Sequence, residues 1–268
     1  MYKLILVPVD GSSFSEQVLP HAAAIARSTG AQLLLLRAVD KQKDEQEAAR
    51  YVETLAQGLG AKSVCVVTDD VAATIVAEAA RLPETLVALG SHGRTGAMQA
   101  IFGSTALSVL RASRAPVLVF RPSPERGAAA PDRIERVVLP LDGSAVSESM
   151  IGPAAALAKW LGARIDVVSV VEPTALANTG VPASDTSETG YVRTMAEKIA
   201  REHGVKTSWE VLHGDPKEAI PGFLRGSDGG TVVAMTTHGR SALKSALAGS
   251  VTAACLREGG VPVFTKLP

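Results

Sequence analysis

Short apolar runs alternate with amphipathic stretches along the whole chain. Residues 3–9 (KLILVPV), 31–39 (AQLLLLRAV), 62–68 (KSVCVVT), 85–90 (TLVALG) and 115–120 (APVLVF) are of strand length and read as strands. After the first run, Val18, Ala22, Ile25 and Ala26 fall on one helical face, and Gly30 follows as the residue that ends that helix. A polar helix is predicted over residues 45–59. Further helices are predicted after the third run and after Gly103-Ser104. Strands alternating with helices imply a parallel sheet with helices on both faces. Pro8 lies inside the first run. Proline cannot donate to a ladder, so the strand assignment requires that pairing ends near it.

The same pattern is then written a second time. Asp10 recurs as Asp142 and Gly30-Ala31 as Gly162-Ala163, both 132 positions on. Gly103 recurs as Gly249 and Pro116 as Pro262, both 146 positions on. The second copy is therefore 14 residues longer, most of them expected in the small-residue loop 173–190. Its strands are expected at RVVLPL, ARIDVVSVV, KTSWEVLH, TVVAMT and VPVFTK, with Pro140 placed as Pro8 is. Ile151, Ala154, Leu157, Ala158 and Leu161 form its first helical face, and a polar helix is predicted over 191–203. Asp215 and Pro216 mark a helix start. This predicts two domains, 1–122 and 134–268, joined by a linker over 123–133.

Composition narrows the function classes. The chain has 268 residues, with 27 basic and 27 acidic side chains and 4% aromatics. A neutral balance and few aromatics give neither the field nor the stacking surface of a nucleic-acid binder. Two cysteines, Cys65 and Cys255, have no metal or disulfide spacing. Cys65 in VCVV reads as a buried core thiol, and a reducing cytoplasm suits both. The N-terminal apolar run is too short for a signal segment, and no run is long enough to cross a bilayer.

Chemistry concentrates at the ends of the first and fourth strands. Residues 88–110 read ALGSHGRTGAMQAIFGSTALSVL, and 234–256 read AMTTHGRSALKSALAGSVTAACL. In an open parallel sheet, ligands gather at strand carboxyl ends where strand order reverses. Glycine lets backbone turn sharply and approach a ligand closely. Gly103-Ser104 and Gly249-Ser250 each open a helix, whose first amides and serine hydroxyl suit phosphate oxygens. The alternative is a set of ordinary turns and caps. No GxxxxGK[ST] occurs, so this is no Walker loop.

These residues, with VPVDGS and APVLVF, resemble the universal stress protein family, whose nucleotide-binding members carry G-x-x-G-x9-G-[ST]. Gly90, Gly93, Gly103 and Ser104 fit every position, and both halves take part. The resemblance implies two tandem five-stranded parallel α/β domains, Rossmann-like, with strand order 3-2-1-4-5. It also implies that ATP, with or without Mg2+, is the ligand. The aspartate after strand one and the end of strand two would address the adenosine, and the glycine motif the ribose and phosphates. Carried over, the first site comprises Asp10, Ala38, Gly90, Gly93, Gly103, Ser104 and Thr105. The second comprises Asp142, Val170, Gly239, Gly249, Ser250 and Val251. Fifth strands commonly pair in this family. An intramolecular pseudo-twofold dimer is therefore expected, and a homodimer is the other form of the same pairing.

One departure bears on the second site: Thr236 stands where the first has Gly90. If the position needs positive φ, threonine is strained; if it needs only room, threonine narrows the approach. The first site is ranked above the second for this reason. TDDVAAT in the first half also lacks the Gly-Asp-Pro of the second. Asp10 and Asp142 suit either a ligand or an Asx-turn, Ser12 and Ser144 suit helix caps, and Ser13-x-x-Glu16 spells a capping box. His92 and His238 have no evident nucleophile beside them and are expected to line the loop, with Arg94 and Arg240 solvated or on phosphate. The leading expectation is a cytoplasmic, ATP-binding stress-response regulator, hydrolysing ATP slowly if at all, that touches neither membrane nor nucleic acid. The alternative is a dimerisation module of the same fold without nucleotide. An ATP-pyrophosphatase-type ligase is the third class, disfavoured because DGSS has one glycine where an SGGxDS loop needs two.

Overall fold

Each apolar run forms a strand because helices cover it, and each helix forms where small and aliphatic residues give it an inward face. The computed structural model describes residues 1–81, 84–91, 102–113, 115–121, 131–172, 185–226, 230–237 and 249–268. The predicted linker lies largely outside the described residues, as does most of the long loop 173–190. The chain divides into two units, Met1–Arg133 and Ile134–Pro268.

The first unit runs β1 (Leu4–Val9), α1 (Ser13–Glu16), α2 (Leu19–Thr29), β2 (Gln32–Val39), α3 (Glu45–Leu59), β3 (Lys62–Val67), α4 (Val71–Arg81), β4 (Thr85–Gly90), α5 (Ser104–Ala112) and β5 (Val117–Phe120). Its strands are parallel in the order β3-β2-β1-β4-β5. The second unit runs β6 (Arg136–Pro140), α6 (Ala145–Glu148), α7 (Ile151–Leu161), β7 (Arg164–Val171), α8 (Asp185–His203), β8 (Thr207–His213), α9 (Pro216–Arg225), β9 (Thr231–Thr236), α10 (Ser250–Glu258) and β10 (Val263–Lys266). Its order, β8-β7-β6-β9-β10, is the same. Both halves are thus five-stranded α/β units of the expected order. One boundary differs: the polar helix of the second half begins by Asp185, where the sequence suggests loop.

The central strands carry the core. Ile5, Leu6, Leu35, Leu86 and Leu118 are fully or almost fully buried in the first unit, and Val137, Val138, Ile165 and Val232 in the second. Burying an aliphatic side chain of this kind contributes about 1.5–3 kcal/mol. Helix α2 turns Val18, Ala22 and Ile25 into that core. It ends at Gly30, whose φ of 72° is the left-handed value a C-terminal cap needs. Cys65 departs from its expected burial. It lies half-buried on β3, which is an edge strand and so is not flanked on both sides.

The two prolines explain the shape of the central crevice. Register between β1 and β4 runs only from Leu4↔Thr85 to Leu6↔Val87, while β1 stays paired with β2 to Val9↔Arg37. The second unit stops at Val138↔Val233 in the same way. The Leu141 amide donates to the Val168 carbonyl of β7 at 2.8 Å. Amides alternate in direction along a strand, so the nitrogen of Pro140 faces β9, where pairing has ended. The missing donor costs nothing there, and the strands part.

In the second unit, Asp166 is buried on β7. It accepts from Arg136 Nε, Arg164 Nε and Ser208 Oγ. Burial pushes its carboxyl up, but the Ser208 hydroxyl and the two guanidinium groups outweigh that and hold it below the usual range.

His21, on α2, is buried against Phe120 with ring centroids 4.6 Å apart. Burial lowers its pKa, outweighing a smaller upward pull from the Gln17 backbone. Above the ordinary value of 6.5, folded and unfolded forms are both neutral. Below it the unfolded chain takes a proton that the fold refuses, so stability falls as pH drops. Thermal melts between pH 7.5 and about pH 5 should show His21→Leu losing stability less steeply than the parent. Parallel curves for the two proteins would place the acid sensitivity elsewhere.

Candidate functional site

Where β1 leaves the sheet, Asp10 opens a tight turn. Its Oδ1 accepts from the Ser12 amide at 2.9 Å and the Ser12 hydroxyl at 2.5 Å. The Ser12 hydroxyl caps α1 by accepting from the Ser15 amide, and the Asp10 amide donates to Ser15 Oγ at 3.1 Å. Asp142, Ser144 and Ser147 repeat every one of these bonds. One carboxylate oxygen of each aspartate is therefore committed to an Asx-turn. The serine caps are as expected, but the capping box is not formed. With Ser12 as the cap, Glu16 sits one position too far along to reach back. Instead it accepts from Tyr51 Oη of α3 at 2.6 Å.

That contact was not legible as a pair in the sequence, and it too is repeated. Tyr191 of α8 donates to Glu148 at 2.9 Å. Burial and the carboxylate together push both phenols far above their ordinary pKa. Each tyrosine ties the helix after strand two to the turn after strand one. The usable signal was that two of only three tyrosines occupy the same element in both halves.

On the opposite wall, α5 and α10 begin at Gly103 and Gly249, whose φ values of −67° and −62° are ordinary for any residue. The Gly103 amide donates to the Ser91 carbonyl at 2.6 Å, and Gly249 to the Thr237 carbonyl. Each helix is thereby tied to the end of strand four. The first helical bonds are Leu107 N to Gly103 O and Ala253 N to Gly249 O, both 3.0 Å. The amides of residues 104–106 and 250–252 thus have no intrahelical acceptor and carry the positive end of the helix dipole.

These walls enclose a cavity in each half. Asp10, Ala38, Gly90, Gly103, Ser104 and Thr105 line the first, of about 250 Å³. Asp142, Val170, Gly249, Ser250 and Val251 line the second, of about 370 Å³. Gly93 and Gly239 lie outside the described residues, as do His92, Arg94, His238 and Arg240. Ile75 and Ile220 supply an apolar wall in each. Among the described residues, no group of three or more His, Cys, Asp or Glu side chains stands where it could hold a metal ion. A flat apolar ring on one side and an anion over the helix amides on the other suit each cavity chemically.

Thr236 is resolved by its backbone. Among the described residues, the one non-glycine position with positive φ is Glu84. Gly90 and Thr236 both keep ordinary strand backbone, so the position asks for room and not for glycine's conformational freedom. Thr236 is buried, and its carbonyl accepts from Thr252 Oγ1 at 3.0 Å. The narrowing expected from its side chain does not appear in the volumes, which run the other way. Another difference lies on strand two: Arg37, 9% exposed, lines the first cavity where Ser169 lines the second. The TDDVAAT segment also serves better than its composition suggests. Asp70 Oδ1 accepts from the Ala73 amide at 2.9 Å and caps α4, as Asp215 caps α9 through the Lys217 amide.

Comparison with known proteins places similar chains beside these observations. The model of the universal stress protein family matches residues 1–121 and 133–265. Universal stress protein Slr1230 of Synechocystis sp. is 24% identical over 306 residues, covering 98% of this chain and 99% of the relative. Universal stress protein MJ0531 of Methanocaldococcus jannaschii is 28% identical over 141 residues, covering 45% of this chain and 83% of the relative. The crystal structure of a universal stress protein from Archaeoglobus fulgidus is 22% identical, with a TM-score of 0.70 over 100% of this chain and 99% of that one. At that identity the likeness bears on fold alone.

The doubled serine cap has a direct consequence. Ser144→Ala removes the acceptor for the Ser147 amide and one donor to Asp142. Urea denaturation should show the variant less stable by about 1 kcal/mol, the usual worth of such a cap. An unchanged midpoint would mean that the turn holds without it.

Proposed function

The chain belongs to the universal stress protein family, and from that premise we propose that it binds ATP in the crevice between strands one and four, as a regulatory signal. What carries the reading is convergence. The aspartate turn, the end of strand two and the free amides of the following helix line one cavity, and they do so twice in one chain. The ring of adenosine would lie against the apolar wall near Ile220, the ribose near Asp142, and the phosphates over the amides of residues 250–252. Gly239 would join them as the family motif implies. The first half offers Asp10, Ala38, Gly90, Gly93, Gly103, Ser104 and Thr105 as the corresponding positions for a nucleotide's base, ribose and phosphates. Mg2+ would arrive on the nucleotide, held by phosphate oxygens and water, as that ion commonly is.

A cytoplasmic setting belongs to the same reading. Cys65 and Cys255 are both free thiols. Burial pushes Cys255 up to about 12, which keeps it unreactive at neutral pH. No helix among the described residues is long and apolar enough to cross a membrane.

Denaturing the purified protein and identifying what it releases tests the ligand directly: adenine nucleotide is expected. Gly249→Val tests the cradle. Its backbone angles suit valine, so the fold should survive while a side chain stands where phosphate must approach. Losing a hydrogen bond to a charged group costs roughly 1.5–3 kcal/mol. ATP affinity at the second cavity should therefore drop about tenfold or more by calorimetry. Unchanged affinity would remove the helix amides from the site.

A further inference from the structure

The two cavities differ at the one backbone carbonyl that strand two presents to each. Carbonyls alternate in direction along a strand. The Val39 carbonyl accepts from the Thr68 amide at 2.8 Å and so faces β3. That of Ala38 therefore faces back toward β1, which has already left the sheet at Asp10 and turned at Gly11, with φ of 81°. The same geometry holds in the second half. The Val171 carbonyl accepts from Gly214, so that of Val170 faces the place vacated by the chain at Asp142 and Gly143. Each half thus offers a strand-two carbonyl to its cavity instead of to a ladder.

In the first half that carbonyl is taken. Arg37 Nη1 donates to the Ala38 carbonyl at 2.9 Å, from a side chain that is buried and lines the cavity. In the second half the corresponding side chain is Ser169, and no donor among the described residues reaches the Val170 carbonyl. The first cavity is the smaller, about 250 Å³ against about 370 Å³.

Resting on the nucleotide reading above, the geometry points to Arg37 as a specificity-determining residue that closes the N-terminal cavity to adenine. Adenine's exocyclic amine is a hydrogen-bond donor. At Val170 it meets an acceptor that no donor among the described residues occupies. At Ala38 it meets an acceptor already in use and a guanidinium that can only donate. A buried donor facing a donor is an effective way to reject a ligand. A 6-oxo purine presents an acceptor at the same ring position and escapes the clash. The two halves therefore take different bases: ATP at the C-terminal cavity, a 6-oxopurine nucleotide at the N-terminal one.

Calorimetric titration of the full chain tests this, with ATP and inosine triphosphate as probes. The parent should bind one ATP per chain. Arg37→Ser, which copies the second half into the first, should bind two, and Ser169→Arg, the reverse exchange, should bind none. Inosine triphosphate should bind the N-terminal cavity of the parent at least tenfold tighter than ATP does, and Arg37→Ser should abolish that preference. An ATP stoichiometry that Arg37→Ser leaves unchanged overturns the assignment, whatever the parent's value. If Arg37→Ser does not fold, Ser169→Arg decides, since ATP binding retained in that variant overturns it equally. Two equal ATP sites in the parent would sink this inference while leaving the nucleotide reading intact. Binding of ATP to none of the three proteins would remove both.

Discussion

The early parting of strand one from strand four is the constraint on which the rest depends. Both pairs keep register for three residues only, and both strands then carry a proline on the unpaired side. A fully paired central strand would have closed the crevice with ladder hydrogen bonds. Because it is not paired, the aspartate turn, the strand-two carbonyl and the amides of the helix after strand four open onto one cavity in each half. Topology does the remainder, since the strand order reverses between strands one and four.

Around that opening, the chain repeats its frame and varies its lining. The frame is polar and locally satisfied: an aspartate holding a serine cap, a second serine holding the aspartate's amide, and a tyrosine tying the next helix to the glutamate. Each bond would leave a buried or half-buried polar group unpaired if one partner changed, which is costly. The lining differs between the halves at corresponding positions. Arg37 faces the cavity where Ser169 does, Gly90 where Thr236 does, and Thr105 where Val251 does. Duplicated folds can diverge in ligand at these positions without disturbing the scaffold.

The far end of the second sheet shows the same freedom applied to stability. Asp166, buried among Arg136, Arg164 and Ser208, takes the place that Leu34 holds in the first half. Replacing an apolar residue by an ion cluster is often neutral in free energy once every charge is paired, and damaging when one partner is missing. Arg136 adds a contact over the Phe223 ring, 4.6 Å from guanidinium carbon to centroid. The cluster sits at the start of the strands, away from the crevice.

The sequence alone determined the architecture, because hydrophobic period, helix-ending glycines and an internal repeat are local signals that survive without coordinates. It also marked part of the lining of each cavity, since glycine and serine at strand and helix ends have few local uses. Three things waited on tertiary structure, and each involves partners far apart in the chain. The Tyr51–Glu16 and Tyr191–Glu148 bonds join residues 35 and 43 positions apart, beyond any periodic signal. The tolerance of Thr236 depended on a backbone angle, which a β-branched residue type does not disclose. Arg37 looked like an ordinary strand residue in LLLLRAV. Only the departure of strand one from the sheet gives its guanidinium the cavity-facing carbonyl of Ala38 as a partner.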